Sequence, residues 1–166
     1  MRTIFTVALA IAAVAVMAAA SPASAQNASQ IRSVQGGASC PGCNLFQGDF
    51  TGLEAASRNF SNARLRQSDL TASVLNRANF RSADLRDVIA YGGVFSSANF
   101  SGANMENSNW VGSYLEGANF SGANLAGADF SGAEMNRATG LTQSQLNRAC
   151  GDGMTQLPGS LRIPQC

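Results

Sequence analysis

Large apolar side chains recur at every fifth position from Leu45 to Met135, and the phase never slips. Only two of the nineteen positions depart from the pattern, and both of them, Ala55 and Ala90, carry alanine. A period of five matches neither the 3.6 residues of a helical turn nor the two-residue alternation of a strand. The pattern therefore predicts a repeat architecture rather than a series of ordinary amphipathic elements.

The neighbours of each apolar position are restricted as well. The residue two places earlier is small, as at Ala98 and Ala118, and the residue one place earlier is polar, as at Asn99 and Asn119. Positions twenty apart carry like residues, and one such series is made entirely of phenylalanine: Phe60, Phe80, Phe100 and Phe120. This second period implies that residue n lies on residue n+20, so that four pentapeptides close one square coil.

The purest stretch, from Ala118 to Gly132, reads Ala-Asn-Phe-Ser-Gly, Ala-Asn-Leu-Ala-Gly, Ala-Asp-Phe-Ser-Gly. This resembles the pentapeptide-repeat family, whose unit is Ala-(Asp/Asn)-(Leu/Phe)-x-x, over about 95 residues. The resemblance implies an all-β solenoid, namely a right-handed quadrilateral β-helix of about five coils. At the ~4.8 Å spacing of paired strands, such a stack is about 23 Å long.

The inward positions are then the apolar residue and the small residue two places before it. At Ala55 the earlier residue is Leu53, and at Ala90 it is Val88, so the core volume is roughly kept at both exceptions. Arg58 occupies a small-residue position without such compensation. We therefore expect the coil to be distorted at Arg58.

The first 25 residues do not follow the repeat. Arg2 is followed by an apolar, alanine-rich run from Ile4 to Ala20 and by the small-residue site Ala23-Ser24-Ala25. This order predicts a secretory signal peptide over residues 1–25, and hence a periplasmic or extracellular protein. The alternative, an uncleaved membrane anchor, requires a longer and more hydrophobic run. We expect no membrane span after cleavage.

Three further segments follow the signal peptide. Residues 26–39 are rich in serine, glycine and glutamine, which predicts a flexible lead. Residues 40–138 contain the repeats, and residues 139–166 form a C-terminal segment outside the five-residue pattern. A solenoid needs its ends covered, so this last segment is interpreted as a cap.

The C-terminal segment carries a helix signal. Thr142 and Gln145 fit a capping box, and Leu141 and Leu146 are spaced as a hydrophobic staple. We expect a short helix from about Gln143 to Cys150 that covers the last coil.

Four cysteines in an exported protein indicate disulfides, for which three pairings are possible. We favour Cys40–Cys43 and Cys150–Cys166, because the coils hold the two pairs at opposite ends of the rod. The Cys-x-x-Cys spacing also occurs in thiol-disulfide oxidoreductases, whose first cysteine lies at a helix N-terminus. Here Cys43 takes an inward small-residue position and the next residue begins a coil, which favours structural closure.

The charged residues limit the chemistry. The chain has eleven basic and ten acidic residues and no histidine, so His-ligated metals and Ser-His-Asp or Cys-His catalysis are excluded. Six arginines lie between Arg58 and Asp87, whereas the segment from Ala90 to Met135 has four acids and no base. Arg66 and Arg86 should stack above Glu106 and form a weak candidate for anion binding.

Several outward positions carry apolar residues where the repeat mainly has Asn, Asp or Glu. They fall on two adjoining faces of the predicted coil and form one candidate interaction patch: Val74, Ile89, Tyr91, Val94, Val111 and Tyr114. Acidic residues surround them, and such exposed apolar groups mark interaction sites. The alternative interpretations are surface decoration with no binding role, or local distortion around Trp110.

We therefore predict a non-enzymatic exported scaffold or protein-interaction module, with no catalytic, cofactor-binding or metal-binding residues. The partner is an unknown protein or a second copy in a weak antiparallel dimer, which would set each basic half against an acidic half. A first alternative, which the resemblance implies, is a DNA mimic that binds a topoisomerase, as the quinolone-resistance members of the pentapeptide-repeat family do. The signal peptide and the near-neutral charge disfavour it, and we expect no nucleic-acid partner. A second alternative is a periplasmic oxidoreductase that uses Cys40 and Cys43.

Overall fold

A computed structural model describes residues 27–166, so the predicted signal peptide over residues 1–25 lies outside the described residues. From Asn44 to Asn119, every fifth residue pairs with the residue twenty positions later through a parallel β-bridge. Each pentapeptide contributes one bridging residue. In the described part of the chain, no strand is longer than a single bridging residue. The chain is thus a β-helix solenoid with twenty residues per coil, as the second period predicts.

The bridging residues fall into four columns that run along the rod. Column 1 contains Asn44, Arg64, Asp84, Asn104 and Asn124. Column 2 contains Asp49, Asp69, Ile89, Asn109, Asp129 and Cys150. Column 3 contains Glu54, Val74, Val94, Tyr114, Glu134 and Gln156. Column 4 contains Asn59, Asn79, Asn99, Asn119 and Thr139. In the middle of the rod these side chains point outward, because the residues on both sides of them along the chain are buried.

The apolar fifth residues fill the interior. Successive phenylalanine rings behind column 4 stack face to face, with centroids 5.3, 5.2 and 5.3 Å apart, in the order Phe60, Phe80, Phe100 and Phe120. Trp110 meets Phe100 edge-on at 5.2 Å. Such offset and edge-on contacts add to the free energy of simple burial, so one continuous aromatic stack links the coils.

The small residue two places before each apolar residue makes room for it. A β-carbon added to Gly93 would lie 2.5 Å from the ring of Phe95, and one added to Gly48 would lie 2.5 Å from the ring of Phe50. Real side-chain carbons do not approach so closely, so a larger residue at these two positions would force the ring to move. The large rings explain why the inward partner is small.

Arg58 does not distort the coil, and the expected distortion is wrong. Bridges continue in register on both sides, from Glu54 to Val74 and from Asn59 to Asn79. The Arg58 side chain is exposed. The long side chain therefore reaches solvent, although its place in the repeat is an inward one.

The outward asparagines and aspartates hold the corners of the coil. Asn59 Oδ1 accepts a hydrogen bond from the backbone N–H of Ser61 at 3.0 Å, and Asn99 does the same for Ser101 at 3.0 Å. These are Asx turns, in which the side chain satisfies a backbone donor two residues later. The polar residue of the repeat is therefore a structural requirement wherever it makes this bond.

The flexible lead predicted for residues 26–39 is wrong for its central part. Helix α1 spans Ala28–Gln35, begins with Asn27 as its N-cap, and buries Ile31 and Val34 against the first coil. Gln30 Oε1 accepts a hydrogen bond from the backbone N–H of Asn44 at 2.8 Å. The helix forms because the open end of the first coil provides an apolar surface for its two apolar residues.

The C-terminal helix is shorter than predicted. Helix α2 spans Gln143–Leu146, with the capping box between Thr142 and Gln145 and with Leu146 fully buried. It ends early because the chain must return to the rod, where Cys150 bridges to Asp129. Neither helix in residues 27–166 has the length and hydropathy that a membrane span requires.

Candidate interaction surface

Columns 2 and 3 bring the predicted patch residues together. Val74 bridges to Val94 and Val94 bridges to Tyr114 in column 3, and Ile89 lies in column 2. At the corner between these columns, the backbone N–H of Gly92 donates to the carbonyl of Val111 at 2.9 Å, which places Tyr91 and Val111 on successive coils. We call the six residues the apolar patch: Val74, Ile89, Tyr91, Val94, Val111 and Tyr114.

Exposure separates the apolar patch from the rest of the surface. Among residues 27–166, the exposed large hydrophobic side chains are Ile89 at 47%, Tyr91 at 56%, Tyr114 at 47% and Met154 at 76%. Three of these four lie within the patch, and its three valines are half-buried beside them. Scattered apolar side chains are normal on protein surfaces, whereas a contiguous group is a feature of contact surfaces.

The apolar residues of column 3 do not serve the coil as the polar residues of column 4 do. Val94 carries no acceptor, so it makes no Asx turn with the N–H of Ser96. That N–H instead donates to Asn76 Oδ1 of the preceding coil, at 3.0 Å. The coil has thus replaced the missing acceptor, and the apolar side chain at Val94 is left without a hydrogen-bonding role.

Acidic residues lie at both ends of the apolar patch, in the same two columns. We call these five residues the acid frame: Asp49, Asp69 and Asp129 in column 2, and Glu54 and Glu134 in column 3. No bridging residue of these two columns is an arginine. The patch therefore lies between two negatively charged ends.

None of the acid-frame residues is used in an ion pair within residues 27–166. The ion pairs there join Arg66 to Asp87, Arg86 to Asp84, and Arg137 to Glu116. The backbone N–H of Thr51 donates to Asp49 and holds the pKa of this carboxyl group below its usual value. The acid frame consequently presents five carboxyl groups that have no arginine partner within residues 27–166.

Arg66 and Arg86 do not form the free pair that the sequence suggested. Arg66 Nε lies 3.1 Å from Asp87 Oδ2, and Arg86 donates two hydrogen bonds of 2.7 Å to Asp84. The Arg86 side chain holds the pKa of Asp84 below its usual value, and the pair raises the pKa of Arg86. Both guanidinium groups already have a carboxylate partner, so the structure does not support an anion site there.

The cysteines are joined in the two pairs that the sequence favoured. Cys40 is bonded to Cys43 and Cys150 to Cys166, with Cα atoms 5.5 and 4.8 Å apart, and no cysteine of the described residues is free. Cys40 is buried and follows helix α1 instead of beginning a helix. It therefore lacks the helix N-terminus that lowers the pKa of a reactive thiol.

The second disulfide lies beside the upper end of the patch columns. Cys150 bridges to Asp129, and Cys166 Sγ lies 3.1 Å from Asp129 Oδ1. The two sulfurs and the carboxylate are close enough to ligate one ion. As a disulfide, however, the sulfurs offer no thiolate, which is the form that binds metals.

A groove opens at the other end of the same columns. It lies between the C-terminal end of helix α1 and the first coil, and its volume is about 560 Å³. Gln35 forms one wall and donates from Nε2 to the carbonyl of Asp49 at 2.9 Å. Asp49 and Glu54 of the acid frame also line the groove, which therefore lies at the end of columns 2 and 3.

Comparisons with known proteins agree with the repeat pattern. A family model described as pentapeptide repeats matches residues 59–89 and 98–137 in eight copies. A pentapeptide repeat protein from the thylakoid lumen of Arabidopsis thaliana is 33% identical, with a TM-score of 0.48, over 58% of this chain and 70% of that protein. Rfr23, a pentapeptide repeat protein of the cyanobacterium Cyanothece 51142, is 26% identical, with a TM-score of 0.39, over 79% and 97%.

A third similar structure is QnrB1, a plasmid-mediated fluoroquinolone resistance protein. It is 20% identical to this chain, with a TM-score of 0.26, and the match covers 64% of each chain. No curated protein matches the sequence.

Proposed function

Because this chain belongs to the pentapeptide-repeat family, we propose that it is a non-enzymatic, exported module that binds another protein through its apolar patch. The observation that carries the proposal is the grouping of Ile89, Tyr91 and Tyr114, each about half exposed, on two adjoining columns and the corner between them. The coil makes no hydrogen-bonding use of these side chains. Contact with a partner gives them a role.

Three of the four buried serines of the rod have structural roles, which supports a function without catalysis. The hydroxyl groups of Ser73 and Ser113 are buried and donate to backbone carbonyls at 2.8 Å. Ser108 is buried as well and accepts a hydrogen bond from Trp110 Nε1 at 2.7 Å. A nucleophilic serine instead needs exposure and a neighbouring base, and the chain contains no histidine.

The proposal includes export and the finer description of the rod. A signal peptide over residues 1–25 and two disulfides fit an oxidising compartment, either the periplasm or the outside of the cell. The rod is proposed to be a right-handed quadrilateral of about five coils, covered at its ends by α1 and by the disulfide-closed segment 139–166. The rigid coil would then hold the patch in a fixed geometry.

The DNA-mimic alternative receives less support. Such a function requires an extended acidic surface, whereas the formal net charge is +1 and arginines lie along the rod outside columns 2 and 3. The oxidoreductase alternative requires an accessible reactive thiol, and Cys40 is 8% exposed. An insulin-reduction assay checks this alternative, since turnover that is lost in Cys40→Ser would support it.

The experiment is a cross-linking pull-down from the exported fraction of the native organism, with three forms of the mature protein. They are the unchanged protein, Val94→Asp, and the matched control Asn99→Asp, whose substitution lies at the same outward position of column 4. We expect one partner to be recovered by the unchanged protein and by Asn99→Asp, and to be lost with Val94→Asp. Equal recovery with both variants would contradict a role for the patch.

A further inference from the structure

The charges around the apolar patch indicate the chemistry of its partner. We propose that the patch binds a protein segment whose apolar side chains are flanked at both ends by arginine or lysine, an inference that rests on the proposed function. The ends of the patch carry the acid frame, and columns 2 and 3 carry no arginine between or beyond these acids. A cationic segment therefore meets opposite charge at each end.

The coil spacing sets the distance between the two cationic ends of the partner. Asp69 and Asp129 are three coils apart in column 2, which is about 14 Å at ~4.8 Å per coil. Glu54 and Glu134 are four coils apart in column 3, or about 19 Å. At 1.5 Å per residue, a helical partner would carry its cationic groups about ten to thirteen residues apart.

The three aspartates of the acid frame are held ready for such a partner. Asp49 and Asp69 each accept a backbone N–H two residues later, at 3.0 and 2.8 Å, and Asp129 accepts the N–H and hydroxyl of Ser131 at 2.9 and 2.7 Å. These turns fix the carboxylates along the two columns while leaving other oxygen lone pairs available. Little side-chain entropy remains to be lost when a cation binds.

The groove at the lower end suits a long cationic side chain. It is about 560 Å³ in volume, lies between helix α1 and the first coil, and is lined by Asp49 and Glu54. The stem of an arginine or lysine can cover apolar surface while its charged head meets the carboxylates. The opposite end, around Asp129 and Glu134, lies beside the disulfide-closed cap.

The acid frame also disfavours the antiparallel homodimer that the sequence suggested. That dimer relied on a basic early half and an acidic late half, but the arginines of the early half lie outside columns 2 and 3. Two copies joined through their patches would place Asp49 and Glu54 of one copy against Asp129 and Glu134 of the other. Like charges at both ends oppose this arrangement.

The test uses synthetic helical peptides of about sixteen residues, with a leucine and valine centre and either arginine or glutamate at both ends. Binding to the full mature protein is measured by fluorescence anisotropy at low and high salt. We expect the arginine peptide to bind at least tenfold more tightly than the glutamate peptide, and to lose affinity as salt rises. Failure of the arginine peptide to bind, or equal binding of the two peptides, would overturn the proposed chemistry.

Three variants separate this inference from the proposed function. The double variant Glu54→Gln, Glu134→Gln should weaken arginine-peptide binding about fivefold to tenfold, whereas Glu106→Gln, outside columns 2 and 3, should leave it unchanged. If the double variant binds normally while Val94→Asp abolishes binding, the patch acts through apolar contact alone and the charge inference fails. If Val94→Asp recovers the cellular partner normally, the proposed function itself fails. Sedimentation that shows a dimer lost in Val94→Asp would assign the patch to a second copy.

Discussion

Columns 3 and 4 adjoin each other on the same rod, but their outward residues follow different rules. Column 4 repeats asparagine on successive coils, with a phenylalanine stack behind it, whereas column 3 carries glutamate, valine and tyrosine in front of a mixed core. Asn99 and Asn119 each accept a backbone N–H at 3.0 Å. Val94 and Tyr114 have no side-chain acceptor with which to form this turn.

The difference separates residues that the fold requires from residues that it tolerates. Column 4 is uniform because each asparagine closes a corner and each ring packs on the next. Column 3 is varied, and its corner at Ser96 is closed without an outward acceptor in the column, because the N–H of Ser96 donates to Asn76. Selection for binding can act on column 3 at little cost to the coil.

The largest expected effect concerns the phenylalanine stack behind column 4. Phe100→Ala should lower the free energy of unfolding by about 3–5 kcal/mol, because it leaves a cavity between two stacked rings. Ser101→Ala, at the next residue on the surface, should cost almost nothing. Urea denaturation of the two variants measures this contrast, and comparable losses would contradict a stack that is specific to the core.

The next effect concerns the cap that ends columns 2 and 3. Removing the Cys150–Cys166 disulfide by a double serine substitution should lower the stability by up to about 3 kcal/mol, because the loop it closes becomes free in the unfolded chain. The same treatment of Cys40 and Cys43, whose loop is much shorter, should cost less. Thermal unfolding of both variants provides the comparison, and a larger loss for the shorter loop would be inconsistent with this account.

The corner bonds should give a smaller difference between the columns. Asn99→Ala removes the acceptor for the N–H of Ser101 and should cost about 1 kcal/mol. Val94→Asn should change the stability little, because the N–H of Ser96 already has a partner in Asn76. Chemical denaturation of the pair measures the contrast. A gain for Val94→Asn as large as the loss for Asn99→Ala would mean that column 3 lacks a corner bond it needs.

Column 2 differs from column 4 in using aspartate for the same turn, which adds a small pH dependence. The N–H of Thr51 lowers the pKa of Asp49 in the folded protein. The ionised carboxylate therefore contributes to the stability of the fold above the unfolded-state pKa of about 3.9. It is lost as the pH falls through the folded-state pKa. Asp49→Asn keeps an acceptor that does not titrate. The stability of this variant relative to the unchanged protein should therefore be higher at pH 2.5 than at pH 6. Urea denaturation of both proteins at the two pH values measures the effect, and an equal stability difference at pH 6 and pH 2.5 would argue against it.

The repeat could be predicted from the sequence because its five-residue phase is unbroken and each position has one dominant requirement. The stacking of Phe80 on Phe100 and the pairing of Val74 with Val94 both follow from counting in twenties. Helix α1 could not be predicted in this way. It contains only two buried apolar residues, Ile31 and Val34, and it depends on the open end of the first coil for its stability.

The acids around the patch could be predicted from the sequence, because the outward positions sorted by column place Asp69 and Asp129 on either side of Ile89. The absence of arginine from the same two columns was missed. Counting charges along the two halves of the chain averages over all four columns and hides where the arginines lie. The bonding of Arg86 to Asp84, by contrast, depends on side-chain conformation and required the structure.

The pairing of residue n with residue n+20 also restricts how the gene can change in length. Deletion of a single codon inside the rod would turn every later inward residue outward until the register recovered, because each side chain's direction depends on its place in the count. Loss or duplication of sixty nucleotides removes or adds one whole coil and leaves all four columns in phase. We therefore expect relatives of this chain to differ in length by whole coils, with the patch moved along the rod as a unit.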